Sequence, residues 1–440
     1  MATDRKIFDF FIFYVIINPK GVGKMKNSKK ILSVIFAVIL VIGSVCPAAF
    51  AKSKTELKFD DGKFRIMHIT DTHYTDFPFE ESIAFIGRAL DDYQPDLVVF
   101  GGDNIKGWFD TSMQLGVKAA IDQLVAALEE RNIPFTFVYG NHDWEAYLCP
   151  KTAQNRMYAA HSNCIMPDGY STALRAANGN ITIKDSSGDK NIFNLWLLDS
   201  GTIIKTNNKR VQSVNSVQLN WYKRTSDKLA KQNGGKPVPS LVFQHFPVQE
   251  ITYIFDEAEN GVGCGDGTYT LKPGITDGIK NGTAGIINSR FSTHLNKSVE
   301  IPTKNSGEYA AWVEQGDVIG AFFGHSHVND YCGITDDGII MGATLSAGGF
   351  NIASRFDGED GNPVEARGLR IIDLDEKTLL DGTKNPTDAV STFSVYYSDY
   401  FTGSVEKYPS KYKALDEHDF GEWFKIEFAY LRDFIVGLFK

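Results

Sequence analysis

Short apolar runs, each closed by a small cluster of Asp, Asn or His, recur along this 440-residue chain. Lys63 to Ile69 alternates as a strand and ends at Thr70-Asp71-Thr72-His73. Asp96 to Phe100 predicts a buried strand that runs into Gly101-Gly102-Asp103-Asn104. Ile133 to Val138 leads into Tyr139-Gly140-Asn141-His142-Asp143. Asn191 to Asp199 predicts a fourth strand. Ser240 to Phe243 is followed by His245-Phe246-Pro247, and Val318 to Phe323 by Gly324-His325-Ser326-His327. Between these runs the period changes to that of a helix. It does so over Phe79 to Tyr93, Ser112 to Arg131, Ser216 to Gln232 and Ser306 to Gln315. In the second helix Leu115, Ala119, Leu124 and Leu128 fall along one side, and Gly234-Gly235 ends the third. The β-α-β-α-β order predicts parallel strands joined by right-handed crossovers. Gly338 to Met341, Leu369 to Leu374 and Ser391 to Tyr396 predict strands of a second sheet. Glu145 to Asn191 reads as loop and helix, and the Gly- and Asn-rich stretch from about Glu250 to Gly307 as a functional loop or an insertion.

The two ends follow other rules. Lys26, Lys29 and Lys30, the apolar Ile31 to Val45 and the small-x-small Ala49-Phe50-Ala51 predict a secretory signal peptide over residues 25–51. The apolar core is shorter than the roughly 20 residues a spanning helix needs. Cleavage after Ala51 would send the chain out of the cell or to its envelope. Residues 1–24 precede that complete signal and read as an over-long gene start, with the true start at Met25. Residues 52–403 form the main domain. Beyond it, residues 404–440 hold a polar tether and an amphipathic helix with Phe420, Trp423, Phe424, Phe428, Leu431, Phe434, Ile435 and Leu438 on one side. This helix either docks on its own domain or meets a membrane surface or partner. The mixed charges of its polar face favour the first reading.

Charge and cysteine content narrow the class. The net charge is -9, and the first 51 residues are basic, which leaves 38 basic against 52 acidic residues after them. That balance argues against nucleic-acid binding, which needs a basic face. Cys149, Cys164, Cys264 and Cys332 remain after the signal peptide and permit disulfides in three connectivities, Cys149 with Cys164 being the most local. No C-x-x-C spacing is present, so a structural zinc site is not expected.

The strand ends carry the chemistry. Five of the nine histidines lie there: His73, His142, His245, His325 and His327. One histidine after a strand is ordinarily structural. Five at successive strand ends, beside Asp71 and Asp103, would each need a separate partner. Carboxylates and neutral imidazoles bind Mn, Fe and Zn, and this many ligands suits two ions better than one. Two ions roughly 3.5–4 Å apart need a bridging anion, a place Asp103 can fill.

Asp71-x-His73, Gly102-Asp103, Gly140-Asn141-His142-Asp143, His245 and Gly324-His325-x-His327, in this order, resemble the calcineurin-like metallophosphoesterase superfamily over about residues 60–345. The resemblance implies an α/β fold, a four-layer α-β-β-α sandwich of two mixed β-sheets flanked by helices. It implies a metal-dependent phosphoric ester hydrolase holding two divalent metal ions (Mn, Fe or Zn), with a phosphoester small molecule as substrate and a metal-bridging hydroxide as attacking group. Asp71, His73 and His327 would hold the first ion, and Asn141, His245 and His325 the second, with Asp103 between them. His142 would contact the substrate phosphate and protonate the leaving group, with Asp143 orienting its ring. Purple acid phosphatases carry a tyrosine three residues after the bridging Asp; here Lys106 stands there, so no tyrosinate ligand is implied. His245-Phe246-Pro247-x-x-Glu250 and His327-Val328-Asn329-Asp330 are similar to an exported group labelled purple acid phosphatase-like. Glu250 and Asn329 either support the ligands or are ordinary surface polars. Asn104 either contacts substrate or caps a turn. The competing class is an exported binding protein that keeps the fold without turnover.

Overall fold

A computed structural model describes residues 56–401 apart from 76–79, 107–113, 147, 168–177, 206–208, 265–266, 272–298, 349–354, 358–362 and 366. The stretches expected to be a signal peptide, a tether and a C-terminal helix lie outside the described residues. In chain order the main elements are β1 (Lys63–Ile69), α1 (Glu80–Tyr93), β2 (Leu97–Gly101), α2 (Gln114–Arg131), β3 (Phe135–Val138), α3 (Lys151–Ala159), β4 (Gly179–Lys184), β5 (Asn191–Leu198), α4 (Ser216–Gln232), β6 (Ser240–Gln244), α5 (Glu308–Gln315), β7 (Val318–Phe323), β8 (Cys332–Ile334), β9 (Ile340–Ala343), β10 (Gly368–Asp375) and β11 (Val390–Tyr396). No described helix is long and apolar enough to cross a membrane.

Two sheets result. One has the order β11-β10-β1-β2-β3, the other β8-β9-β7-β6-β5-β4. β1, β2 and β3 are parallel, as the β-α-β-α-β pattern predicts. The last three strands do not form a sheet of their own. β9 joins the second sheet beside β7, whereas β10 pairs antiparallel with β1 in the first and β11 pairs with β10. Periodicity shows which face of a strand is buried and leaves its neighbour open. β4 is a further strand inside a stretch expected to be loop and helix, and Phe255–Cys264 with Gly267–Leu271 makes a hairpin in the expected long loop.

Strand alternation builds the layers. Phe64, Ile66, Leu97 and Val99 face inward between the sheets, against Leu195, Leu197, Leu241, Phe243 and Phe322. Met67, Ile69, Val98 and Phe100 face outward against α1 and α2. Val242, Ala321 and Phe323 face the opposite way, against Tyr222 of α4 and Tyr309 and Trp312 of α5. The architecture is therefore helices, sheet, sheet, helices. Along α2 the buried stripe runs through Val117, Ala120, Ile121, Leu124, Val125 and Leu128, rotated from the expected one because Leu115 and Ala119 are only half-buried. α4 begins where the sequence places it. The Asn215 side chain accepts from the Val217 and Gln218 amides at 2.9 and 3.0 Å, and Gln218 Oε1 accepts in return from the Asn215 amide at 2.9 Å.

Cys149, Cys164 and Cys332 are free, so the Cys149–Cys164 pairing does not form. Cys164 is bridged to Phe135 alongside β3, while Cys149 is buried in the turn that enters α3.

Candidate metal centre

Each candidate ligand lies just beyond a strand, and the loops lock to one another. The Asp71 amide donates to the Gly102 carbonyl at 3.0 Å, and the His73 amide to the Asp103 carbonyl at 2.9 Å. Four of the predicted ligands adopt left-handed backbone: Asp71 (φ 53°), His73 (47°), Asp103 (49°) and His325 (69°). Such a conformation costs roughly 1–3 kcal/mol at a non-glycine residue and persists only where the surroundings enforce it. Asp71 and His73 therefore meet across a turn. The preceding glycines allow the approach. A Cβ on Gly102 would lie 2.8 Å from His245 Nδ1, and one on Gly140 would collide with the Asp103 carboxylate.

The two acids share a design. Asp71 Oδ2 accepts from the His325 amide at 2.9 Å and the Thr70 hydroxyl at 2.8 Å, and Asp103 Oδ1 accepts from the His142 amide at 2.7 Å. The other oxygen of each faces imidazoles. Asp71 Oδ1 is 3.3 Å from His327 Nε2, and Asp103 Oδ2 is 3.1 Å from His245 Nε2 and 3.5 Å from His73 Nε2. Asp71, His73, Asp103 and His327 form one group able to hold a metal ion, and Asp103, His245 and His325 form another. Asp103 belongs to both. Asn141 is buried, and its Oδ1 is also without a partner.

The donor chemistry fits a metal pair. Asp71 Oδ1, His73 Nε2, Asp103 Oδ2, Asn141 Oδ1, His245 Nε2 and His325 Nδ1 are all buried and make no hydrogen bond. Buried polar atoms are otherwise nearly always paired, since leaving one bare costs about 1–3 kcal/mol. His245 Nδ1 faces the Gly101 carbonyl at 3.1 Å, which fixes the tautomer and leaves Nε2 as a lone-pair donor. His325 Nε2 lies 3.2 Å from Glu300, which leaves Nδ1 for an ion.

The charges are strongly coupled. Burial pushes Asp71 up, but His245 and His327 outweigh it and hold the carboxyl down at about 2. Burial lowers His245, yet Asp103 and Asp71 together raise it to about 9. Burial dominates at His73 and depresses it to about 4.

The expected partner of His142 is corrected. Asp143 does not hold its ring. The Asp143 carboxylate accepts three backbone N–H groups, from Gly140 at 2.8 Å, Ile105 at 3.1 Å and Asn104 at 3.3 Å. Burial, then the Asp103 charge, push it up to about 7. His142 Nδ1 instead lies 2.7 Å from Glu145 Oε2. Glu145 sits three residues on, a spacing visible in the sequence, whereas Glu300 carries no local signal. Asn104 Nδ2 donates to the Val138 carbonyl at 2.8 Å, tying down the end of β3. Glu250 accepts from Asn305 Nδ2 at 2.7 Å, and Asn329 is buried beside the ligand loop.

A family model described as calcineurin-like phosphoesterase matches residues 64–329. "Probable inactive purple acid phosphatase 14" of Arabidopsis thaliana is 27% identical over 328 residues, 67% of this chain and 73% of the relative. "Probable inactive purple acid phosphatase 29" of the same plant is 24% identical over 376 residues, 78% of this chain and 86% of the relative. Among solved structures, a dimetal phosphatase from Danio rerio superposes with a TM-score of 0.42 at 12% identity, covering 76% of this chain and 99% of that one. The family match spans more than half of the sequence and takes in all seven candidate ligands at the strand ends, from Asp71 to His327, so the chain belongs to the calcineurin-like phosphoesterase family.

Proposed function

We propose that this chain is an exported two-metal phosphoesterase acting on small phosphomono- or phosphodiesters. The observation that carries the reading is the convergence of six buried, partnerless ligand atoms at one end of the sandwich. Asp71, His73 and His327 would hold one ion, Asn141, His245 and His325 the other, and Asp103 would lie between them. Imidazole, carboxylate and amide donors suit Mn, Fe or Zn. When bound, such a pair clamps a phosphoryl group and supplies hydroxide at neutral pH. The remaining work belongs to His142. Its side chain is 31% exposed and its ring centroid lies 4.6 Å from that of His73, so it stands at the mouth of the ligand cluster. Burial opposes its charge, but Asp103 and Glu145 outweigh burial and hold it above its ordinary value. A charged imidazolium there can contact a phosphoryl oxygen and give a proton to the leaving-group oxygen.

Metal analysis joined to a phosphoester panel tests this reading. Wild type should carry two ions per chain and release nitrophenol from p-nitrophenyl phosphate or its bis-ester with added Mn. Asp103→Asn should lose metal, whereas His142→Ala should keep it and lose about 10²–10⁴-fold in turnover. The alternative is a binding protein that keeps the fold without turnover, a reading favoured by the names of the two Arabidopsis relatives. Two bound ions and no activity across the panel would decide for it. Export rests on the pattern of residues 25–51; the secreted product should begin at Lys52, and a product that begins at Met1 would count against it.

A further inference from the structure

We propose that Glu145 is the positioning residue for His142, holding the Nδ1 edge of the ring so that Nε2 is presented to the substrate oxyanion. The inference rests on the reading that His142 serves the phosphoryl group. Its geometric basis is independent of that reading. Residues Asp143–Glu145 form a single 3-10 turn, and the Glu145 amide donates to the His142 carbonyl at 3.0 Å. That turn brings the side chain of residue 145 back beneath the ring of residue 142 and sets the 2.7 Å contact between Glu145 Oε2 and His142 Nδ1.

No nearer acid takes this role. The three amides on Asp143 occupy both of its oxygens and bind it to the strand ends, so Asp143 shapes the loop while Glu145 meets the ring. The Glu145 side chain is 17% exposed, more sheltered than the imidazole it contacts, which places it on the protein side of the ring. A carboxylate has only acceptor sites, so this contact requires the proton to be on Nδ1. Nε2, at the other edge of the ring, is then the atom free to address a ligand. Backbone anchoring complements the contact: the His142 amide is fixed to Asp103 Oδ1 at 2.7 Å. The residue is thus held at its main chain by one acid and at its ring by another.

The test compares Glu145→Ala with Glu145→Gln, each alone and in a His142→Ala background, all loaded with zinc. Gln keeps an acceptor at the same reach and should behave as wild type within about threefold. Ala should weaken inorganic phosphate binding, measured by calorimetry, by about 10–100-fold, the range for losing a supporting partner. Turnover of an alkyl phosphate, which needs leaving-group protonation, should fall by a similar factor. Turnover of p-nitrophenyl phosphate, which needs little, should fall much less, with metal content unchanged. In the His142→Ala background Glu145→Ala should have no further effect. A crystal structure of zinc-loaded Glu145→Ala should show the His142 ring displaced from its place beside His73. The proposal is overturned if the ring stays in place, if Gln is as impaired as Ala, or if the Ala effect survives without His142. A wild type with two ions and no turnover would instead overturn the phosphoesterase reading, and the ring position and phosphate affinity would still decide the role of Glu145.

Discussion

His68 should make this fold lose stability steadily as pH falls below about 6.5. The residue lies on β1, fully buried, with Nδ1 2.8 Å from the Thr344 hydroxyl and its ring 5.2 Å from that of Phe243. Burial, reinforced by the Arg370 guanidinium, depresses it to about 3, with Asp71 opposing weakly. The unfolded chain therefore binds a proton at His68 that the folded chain refuses. Its contribution to stability is complete above the unfolded pKa and is lost as pH falls toward 3. Each unit below about 6.5 removes about 1.4 kcal/mol, so at pH 5 the loss is about 2 kcal/mol, a sizeable part of a typical 5–15 kcal/mol. Urea unfolding of chelator-treated wild type and His68→Gln at pH 7.5 and 5.0 measures this. Gln retains a hydrogen-bonding group for Thr344 and cannot titrate. The drop in unfolding free energy between the two pH values should be larger in wild type by about 2 kcal/mol. Titration of the other groups cancels in the comparison, to the extent that they act independently. Equal drops would refute the argument and place a proton, or water, on His68 in the folded state.

Three other outcomes are expected. Gly140→Ala would drive a Cβ into the Asp103 carboxylate and should empty the metal site, read by elemental analysis; two ions per chain in the variant would contradict the packing. Lys151 Nζ is buried 3.0 Å from Asp199 and 3.9 Å from the centre of the Trp144 ring, so Asp199→Ala should cost about 3–5 kcal/mol by removing the carboxylate that faces this buried ammonium. A loss below about 1 kcal/mol in urea unfolding would mean that the pair is well hydrated. Burial pushes the Cys149 thiol up to about 12 and the Cys332 thiol up to about 11, so neither should react with iodoacetamide until the chain unfolds. Mass spectrometry of unreduced peptides should find Cys149, Cys164 and Cys332 as thiols, and a Cys149–Cys164 bridge would contradict the structure.

The amino-acid pattern by itself determined the strands that carry the site and the polar residues at their ends. Alternation and apolar runs fix where β1, β2, β3, β6 and β7 lie, because a buried strand must hide one or both of its faces. The identities of Asp71, His73, Asp103, Asn141, His245, His325 and His327 follow from their place just beyond those runs. Tertiary structure decided how the strands associate and which groups support the candidate ligands. Residue period does not name a neighbour, so only the folded chain puts β10 beside β1 and divides the last strands between two sheets. Composition likewise could not foresee left-handed backbone at Asp71, His73, Asp103 and His325, which the contacts between loops impose. Asp143 and Glu145 stand two residues apart, and both are carboxyl side chains. Backbone amides from a separate strand end engage the first, and the pitch of one short turn delivers the second to His142. That choice depends on where N–H groups point in space, which side-chain order along the chain does not encode.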